Sequence, residues 1–316
     1  MSLGFCFVGA GAIAGVHAEI LAAEGAVLDS VVGRLPQPTA EFAARYGFRH
    51  HTTDLDAALA REGVDAVLIA SPSELHYAQT ARALAAGKHV LSEIPLAMSH
   101  AEGARLVADA HDRDLRLMVC HTQRFIPALA AARRRVAEGE FHVHHLIGRF
   151  GVFRRENVGW TGRRRSWSDN LLWHHGCHLV DFSLWFVGAD EVTVMGQVAP
   201  PDAHTGIPQD LDVILRTPSN QLISLSLSYN THLAMDEYVI VGAEESLHFR
   251  RGQQIEPGGS DAGPVEADQY QLGWESHDRE FLAAVAEHRA PECSGAEALP
   301  ALAVLQEVQD RFVPAR

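Results

Sequence analysis

Two histidines near the middle of the chain have the spacing that proton transfer needs. His174 and His178 bound the run His-His-Gly-Cys-His, and on a helix residues four apart share one face. Histidine titrates near neutral pH, which suits general acid/base catalysis. The same pair could bind a metal with Asp181 as a further ligand, or could pack or cap a helix. The pattern favours acid/base chemistry, and we expect no metal.

Six arginines lie between residues 149 and 165 of a chain whose formal net charge is −14. Because the planar guanidinium fork binds carboxylates through two hydrogen bonds, this local reversal of charge favours a pocket for a small dianionic substrate. Nucleic acid is disfavoured, since the chain is acidic and aromatic residues are sparse there. The simple alternative is a solvated loop or ion pairs at an interface. The six are Arg149, Arg154, Arg155, Arg163, Arg164 and Arg165.

A glycine-rich loop, Gly9-Ala10-Gly11-Ala12-Ile13-Ala14, follows a short apolar run and precedes a helical stretch. The first glycine of such a loop permits a tight turn, and the second lets a pyrophosphate approach the backbone. The small third residue packs the helix on the strand, and the helix N-terminus faces the phosphates. The loop therefore predicts dinucleotide binding through Gly9, Gly11, Ala12 and Ile13. The alternative is a structural glycine turn.

The end of the second predicted strand bears on the choice of dinucleotide. An acidic residue there binds the ribose 2′-hydroxyl of NAD, whereas an arginine accommodates the 2′-phosphate of NADP. Arg34 follows this strand, and Asp29 lies earlier within it. The sequence thus predicts NADP, with NAD as the second choice. The alternative is that Arg34 is a solvated surface residue.

The predicted elements change character near residue 121. Before it, short apolar strands alternate with alanine-rich helices, as in a doubly wound parallel sheet, and Asp54 and Ser99 are expected helix caps. After it, helices over 124–138 and 166–186 accompany close-spaced strands of alternating polarity, which are typical of an antiparallel sheet. An exposed loop over 253–265 and helices over 276–287 and 295–312 follow. We expect an α/β protein with domains over 1–121 and 122–316.

Composition excludes several classes of protein. Hydrophobic residues make up 47% and charged residues 21%, as in ordinary globular proteins. No apolar run approaches the ~20 residues of a membrane span, and the first residues lack signal-peptide features, which predicts a cytoplasmic location. The four cysteines form no CxxC pair, so neither thiol-bound zinc nor a disulfide framework is indicated. Lys88 is the sole lysine, so any lysine acid or base would have to be that residue.

Two further motifs complete a family likeness. Residues 70–76 read Ala-Ser-Pro-Ser-Glu-Leu-His, and residues 86–97 contain Glu93-Ile94-Pro95. With the glycine loop, they make the chain resemble the glucose-fructose oxidoreductase / inositol dehydrogenase family over nearly its whole length. The resemblance implies a Rossmann domain followed by an α/β domain with an open, mainly antiparallel sheet that binds substrate and forms a homodimer or higher oligomer. It places the catalytic histidine at His178 and cofactor contacts at Ser71, Pro72, His76, Glu93, Ile94, Pro95 and His121.

The chain departs from this family at two catalytic positions. Ile94 replaces the lysine of the usual Glu-Lys-Pro motif, and His174 replaces an aspartate four residues before the histidine. Both departures fit one branch of the family, which oxidises a carboxylated cyclic hemiacetal with NADP and which the chain resembles in both domains. Among the arginines, this likeness favours Arg124, Arg154, Arg155 and Arg165 as substrate contacts. Trp167 and Trp173 could pack on a planar substrate ring, with ordinary core positions as the alternative.

Together these observations predict an NADP-dependent dehydrogenase of a small carboxylated hemiacetal. A hemiacetal hydroxyl is more acidic than a simple alcohol, so neutral His178 could take its proton while hydride leaves for the nicotinamide. His174 would orient the substrate or assist that transfer. One rival is a sugar or polyol dehydrogenase of the same family. Another is a regulator that binds the dinucleotide without catalysis.

Overall fold

The computed structural model describes residues 2–158, 170–255 and 268–313. These residues form two compact units. The first contains residues 2–120, 158 and 274–299, and the second contains 121–157, 170–255, 268–273 and 300–313. The expected division into domains over 1–121 and 122–316 stays a prediction. In the structure, residues 274–299 belong to the first unit. Arg163, Arg164, Arg165 and Trp167 lie outside the described residues, as do the start of the helix expected over 166–186 and most of the loop expected over 253–265.

A parallel sheet forms the centre of the first unit. Its six described strands run in the order β3-β2-β1-β4-β5-β6, which is the order of the doubly wound dinucleotide-binding fold. The prediction of this fold class is confirmed. The strands are β1 (Gly4–Val8), β2 (Val27–Val32), β3 (His50–Thr52), β4 (Ala66–Ile69), β5 (His89–Ser92) and β6 (Leu117–Val119).

Helices alternate with these strands, and both predicted caps are confirmed. The Asp54 side chain accepts from the amides of Asp56 and Ala57, and Ser99 accepts from Glu102. The first helix has Gly11 as its N-cap, and no side chain caps it. Its first amides therefore suit an anionic ligand. The helices are α1 (Ala12–Ala23), α2 (Pro36–Tyr46), α3 (Leu55–Leu59), α4 (His76–Ala85) and α5 (His100–Asp112).

A mixed sheet forms the centre of the second unit, in the order β13-β12-β11-β7-β10-β9-β8 among the described strands. Neighbouring strands run antiparallel except β7 and β10, which are parallel. The mainly antiparallel sheet that the sequence predicts is therefore confirmed. The strands are β7 (Val143–Gly151), β8 (Thr193–Val198), β9 (Asp210–Arg216), β10 (Leu222–Ser228), β11 (Met235–Gly242), β12 (Ser246–Arg250) and β13 (Gln253–Gln254).

The helices of the second unit correct two predicted boundaries. The helix expected over 124–138 begins later, as α6 (Pro127–Ala137) after a 3₁₀ turn, because the residue before a proline is extended. The histidine segment begins with a π-helical turn, Leu172–Gly176, that leads into α7 (Cys177–Val187). π-Helical turns are rare in proteins, and those that occur often lie at functional sites. The chain passes between the units within α8 (Gln269–Ala286) and α9 (Gly295–Phe312).

Alternation along the strands leaves one face of the second sheet open. In β9, buried Leu211, Val213 and Leu215 alternate with residues that are accessible to solvent. The accessible positions of this sheet include Ile214 in β9, which is 46% exposed, and Met195 in β8, which is 61% exposed. Across the described residues, no helix combines the length and apolar character that crossing a bilayer requires.

Candidate active site

The two glycines of the loop after β1 have different structural roles. Gly9 has φ +116°, and a Cβ there would lie 2.3 Å from the carbonyl oxygen of Ala70, so the protein itself requires glycine. Gly11 has φ −95°, and a Cβ there would meet no atom within 4 Å. The backbone at Gly11 thus faces open space beside the uncapped start of α1. That space and those amides fit a dinucleotide pyrophosphate.

The loops after β4 and β5 lie at the same end of the parallel sheet as the glycine loop, where open α/β sheets bind ligands. His76 is buried and joins them: its Nδ1 lies 2.8 Å from the Pro95 oxygen and its Nε2 lies 2.9 Å from the Ser71 oxygen. Pro72 follows Ser71 at the start of the same loop, and Ile94 is 5% exposed. The structure therefore brings the loops of Ser71 and Pro95 together with Gly9.

Lys88 and Asp29 lie away from the positions that catalysis or ribose binding would need. Lys88 precedes β5, whereas Glu93 follows it, and the Lys88 ammonium donates to the Val64 oxygen at 2.8 Å. Asp29 is buried within β2, where its Oδ2 lies 2.6 Å from Nε of Arg61. Arg34, by contrast, follows β2 and is exposed.

In the second unit, His178 lies near two other histidines. Its ring centroid is 6.1 Å from that of His174 and 6.4 Å from that of His121, with both ring pairs perpendicular. One turn further along α7, buried Asp181 has its Oδ2 3.3 Å from Nδ1 of His121. The structure thus brings the two histidines predicted to be catalytic into one cluster with His121.

Asp181 connects this cluster to Arg124. The arginine donates from Nε at 2.9 Å and from Nη2 at 2.6 Å, and both side chains are buried. Burial alone would raise the pKa of Asp181, but the charges of Arg124 and His121 outweigh it and hold that pKa below its usual range. The expected substrate contact through Arg124 stays a prediction, because in the structure its guanidinium holds a carboxylate of the protein itself.

Arg154 contacts the side chains of Tyr229 and Asn157. Its Nη1 lies 3.1 Å from the Tyr229 hydroxyl, its Nη2 donates to Asn157, and its guanidinium lies 5.3 Å from the centre of the Tyr229 ring. Tyr229 is fully buried, and its hydroxyl lies 2.7 Å from Nδ1 of His175. The His175 ring stacks on Phe150 at 3.8 Å. Sequence reasoning missed His175 and Tyr229; the second histidine of the run, His175 itself, was the available signal.

The neighbouring Arg155 is also held by amide oxygens. It donates from Nη1 to Gln209 at 3.3 Å and from Nη2 to Asn230 at 2.6 Å. Within the part of the chain that the structure describes, Arg155 forms no ion pair. Arg149, by contrast, pairs with Glu237 at 2.8 Å.

Trp173 and Arg165 complete the residues expected to bind substrate. Trp173 is 3% exposed, and its Nε1 lies 3.3 Å from the Gln309 side chain, as suits the core alternative. Its contact with substrate stays a prediction. Arg165 lies outside the described residues.

Comparison with known proteins covers both units. Residues 3–121 match the family described as "Oxidoreductase family, NAD-binding Rossmann fold", and residues 127–254 match "Bacterial oxidoreductases, C-terminal". Among solved structures, levoglucosan dehydrogenase in complex with NADH and levoglucosan superimposes with a TM-score of 0.86. That likeness covers 98% of this chain and 97% of the other at 19% identity, so it shows the fold alone.

Two curated relatives extend over almost the whole chain. Inositol 2-dehydrogenase of Rhizobium meliloti is 24% identical over 96% of this chain and 95% of its own. 4-Carboxy-2-hydroxymuconate-6-semialdehyde dehydrogenase of a Sphingobium species is 34% identical over 95% of this chain and 96% of its own. The chain therefore belongs to the glucose-fructose oxidoreductase / inositol dehydrogenase family of NAD(P)-dependent dehydrogenases, which act on CH–OH groups.

Proposed function

We propose that this dehydrogenase oxidises a small cyclic hemiacetal that carries carboxylates. The proposed substrate is the hemiacetal of 4-carboxy-2-hydroxymuconate-6-semialdehyde, and the product is 2-pyrone-4,6-dicarboxylate. The proposal depends on one observation: Arg155 donates hydrogen bonds to the amide oxygens of Gln209 and Asn230. Because these oxygens belong to uncharged groups, the positive charge of Arg155 remains available to an anionic ligand. The curated relative that is 34% identical supports the same substrate.

The chemistry divides between His178 and the substrate-binding groups. His178 takes the proton of the hemiacetal hydroxyl as the C–H bond breaks and the new carbonyl of the lactone forms. The bound dinucleotide supplies the hydride acceptor. His174 orients the hydroxyl beside His178, and Arg154 and Arg155 bind the carboxylates. Ile94 gives an apolar wall where other family members place a lysine.

NADP is the proposed cofactor. Arg34 follows β2, at the position from which a side chain reaches the ribose 2′ substituent in this fold. Its exposure leaves the guanidinium accessible to a phosphate, whereas buried Asp29 is bound to Arg61. Charge therefore favours the phosphorylated dinucleotide.

A homodimer or higher homo-oligomer through the open face of the second sheet is also proposed. Exposed apolar side chains on this sheet, among them Met195, Ile214 and Leu222, support it. Size-exclusion chromatography with light scattering measures the mass. An Ile214→Glu variant that is monomeric when wild type is oligomeric would support this interface. A variant with the same oligomeric mass as wild type would contradict it.

A spectrophotometric assay tests the proposed reaction. Protocatechuate 4,5-dioxygenase generates the substrate in place, and reduced nicotinamide is followed after addition of this protein with NADP or NAD. Rapid reduction that prefers NADP, with the pyrone dicarboxylate as product, is the expected result. Glucose and inositol are tested in parallel, and turnover of either sugar alone would overturn the proposal. Dinucleotide binding without any turnover would favour a regulator.

A further inference from the structure

A buried ionic network in the first unit joins the dinucleotide-binding helix to the loop after β5. His17, in α1, has a fully buried side chain. Its Nδ1 lies 2.9 and 2.8 Å from the two carboxylate oxygens of Asp278 in α8, and its Nε2 lies 3.0 Å from Oε1 of Glu93. An ionised carboxylate only accepts hydrogen bonds, so both ring nitrogens of His17 donate. The geometry is that of an imidazolium between two carboxylates.

The surroundings of His17 stabilise this charge. Burial alone would lower its pKa, but Asp278, with Cys120 and Glu93, outweighs burial and raises the pKa well above its usual value. A second histidine, His277, lies with Nδ1 3.1 Å from Asp278. Burial opposes its charge too, yet Cys120 and Asp278 raise its pKa to about 10. Two carboxylates thus face two imidazolium ions, as a buried set of charges requires.

The network ends on the loop that carries Glu93. One oxygen of this carboxylate accepts from His17, and the other accepts from the amide of Ile94 at 3.3 Å. At the far end of the loop, His76 contacts the Pro95 oxygen at 2.8 Å. The segment Glu93-Ile94-Pro95 is therefore held from both ends by buried histidines of the same unit.

A metal ion is the competing explanation for part of this cluster. One ligand atom each from His17, Glu93 and Cys120 lie within 4.8 Å of one another, a donor set that zinc can use. The direct contact of 3.0 Å between His17 and Glu93 favours a shared proton instead.

We propose that His17 is a permanently protonated positioning residue. Its imidazolium, anchored by Asp278, fixes the Glu93 carboxylate and with it the loop that lines the nicotinamide. The inference rests on the proposed role of this loop in cofactor binding, and it does not depend on the identity of the substrate.

Nuclear magnetic resonance of ¹⁵N-labelled histidine tests the charge directly. An ordinary histidine is neutral at pH 8. His17 is expected to show two protonated ring nitrogens at that pH, and the spectrum of a Glu93→Gln variant assigns the signal. A neutral ring at pH 8 would overturn the proposal. So would one equivalent of zinc in the purified protein that is lost on Cys120→Ser substitution but kept on Cys6→Ser substitution.

A second experiment separates positioning from a purely structural role. The Asp278→Asn substitution keeps the shape of the anchor but removes its charge, so the pKa of His17 falls towards neutrality. The dissociation constants of NADPH and NADH are measured by nicotinamide fluorescence. Relative to those of wild type, they are then expected to rise about tenfold as the pH increases from 6 to 9. His111→Gln, an exposed substitution in α5, is the control and follows wild type.

The binding measurement needs no substrate, so failure of the proposed reaction would not affect it. Circular dichroism first establishes that the Asp278→Asn variant is folded. If that variant fails to fold, Glu93→Gln replaces it; its expected effect is weaker dinucleotide binding at every pH. Wild-type affinity and pH dependence in a folded variant would overturn the positioning role.

Discussion

The hydroxyl oxygen of Tyr229 lies 2.7 Å from Nδ1 of His175. Arg154 donates to the same oxygen from 3.1 Å, and the hydroxyl donates to His175 when Nδ1 of that ring carries no proton. Burial, with the nearby His174, His178 and Arg154, lowers the pKa of His175 well below its usual value and keeps its nitrogen available as an acceptor. The contacts of the Tyr229 hydroxyl with His175 and Arg154 orient the guanidinium.

Tyr229→Phe should weaken substrate binding while preserving the ring beneath Arg154. Loss of a hydrogen bond to a charged group costs about 1.5–3 kcal/mol, so we expect KM for the carboxylated substrate to rise about tenfold or more with kcat little changed. Steady-state kinetics measures both. Tyr270→Phe is the matched control, since its buried hydroxyl binds Asp236 and Gln123 instead. Equal effects of the two substitutions on KM would contradict this role.

His178→Asn should abolish most turnover and leave dinucleotide binding intact. Asparagine keeps a polar side chain but cannot take a proton, so a loss of about 10²-fold or more in kcat is expected. The dissociation constant of NADPH provides the control for folding. A near-normal rate would exclude His178 as the base.

Gly11→Ala and Gly9→Ala should separate cofactor binding from folding. Space around Gly11 admits a methyl group, so the variant folds as wild type but binds the dinucleotide about tenfold more weakly. At Gly9 the same methyl group meets the Ala70 carbonyl at 2.3 Å, which destabilises the protein itself. Thermal unfolding and cofactor titration together check the pair. Unchanged NADPH affinity in Gly11→Ala would place the pyrophosphate elsewhere.

Arg34→Ala should reduce the preference for NADPH over NADH. The guanidinium recognises only the 2′-phosphate, so NADPH binding weakens while NADH binding stays nearly constant. The ratio of the two dissociation constants is the measured quantity. Arg49→Ala, which lies beyond α2, serves as the charge-matched control. An unchanged ratio in Arg34→Ala would show that the arginine is only a surface residue.

Alkaline pH should destabilise the fold through His277. Its pKa rises from an ordinary 6.5 to about 10 in the folded protein. A raised pKa means that protonation stabilises the native state fully below about 6.5. This contribution is lost progressively as pH rises to about 10. Urea unfolding at pH 7, 8, 9 and 10 should show a falling midpoint for wild type and a shallower fall for His277→Gln. Equal slopes would contradict the assignment.

The sequence predicted those elements whose own residues bury a continuous or periodic apolar surface. The second predicted strand is present as β2, and the helix over 295–312 has the expected bounds, since valine runs and a helical apolar period are local signals. The polar strand β3, His-His-Thr, was missed because it has no apolar alternation. Of the candidate site, the sequence alone identified the glycine loop and the histidine run. The partners of His175 and His17 were not, because they lie 54 and 261 residues away.

The parallel pairing of β7 with β10 has a kinetic consequence. The two strands align directly, His145 opposite Leu222, although residues 152–221 separate them along the chain. Closing so long a connection costs entropy before any pairing compensates for it, and contacts between distant residues slow folding. The helix that carries His178 lies inside this connection. The second unit should therefore gain its central strand pair and its candidate catalytic residues in the same slow step.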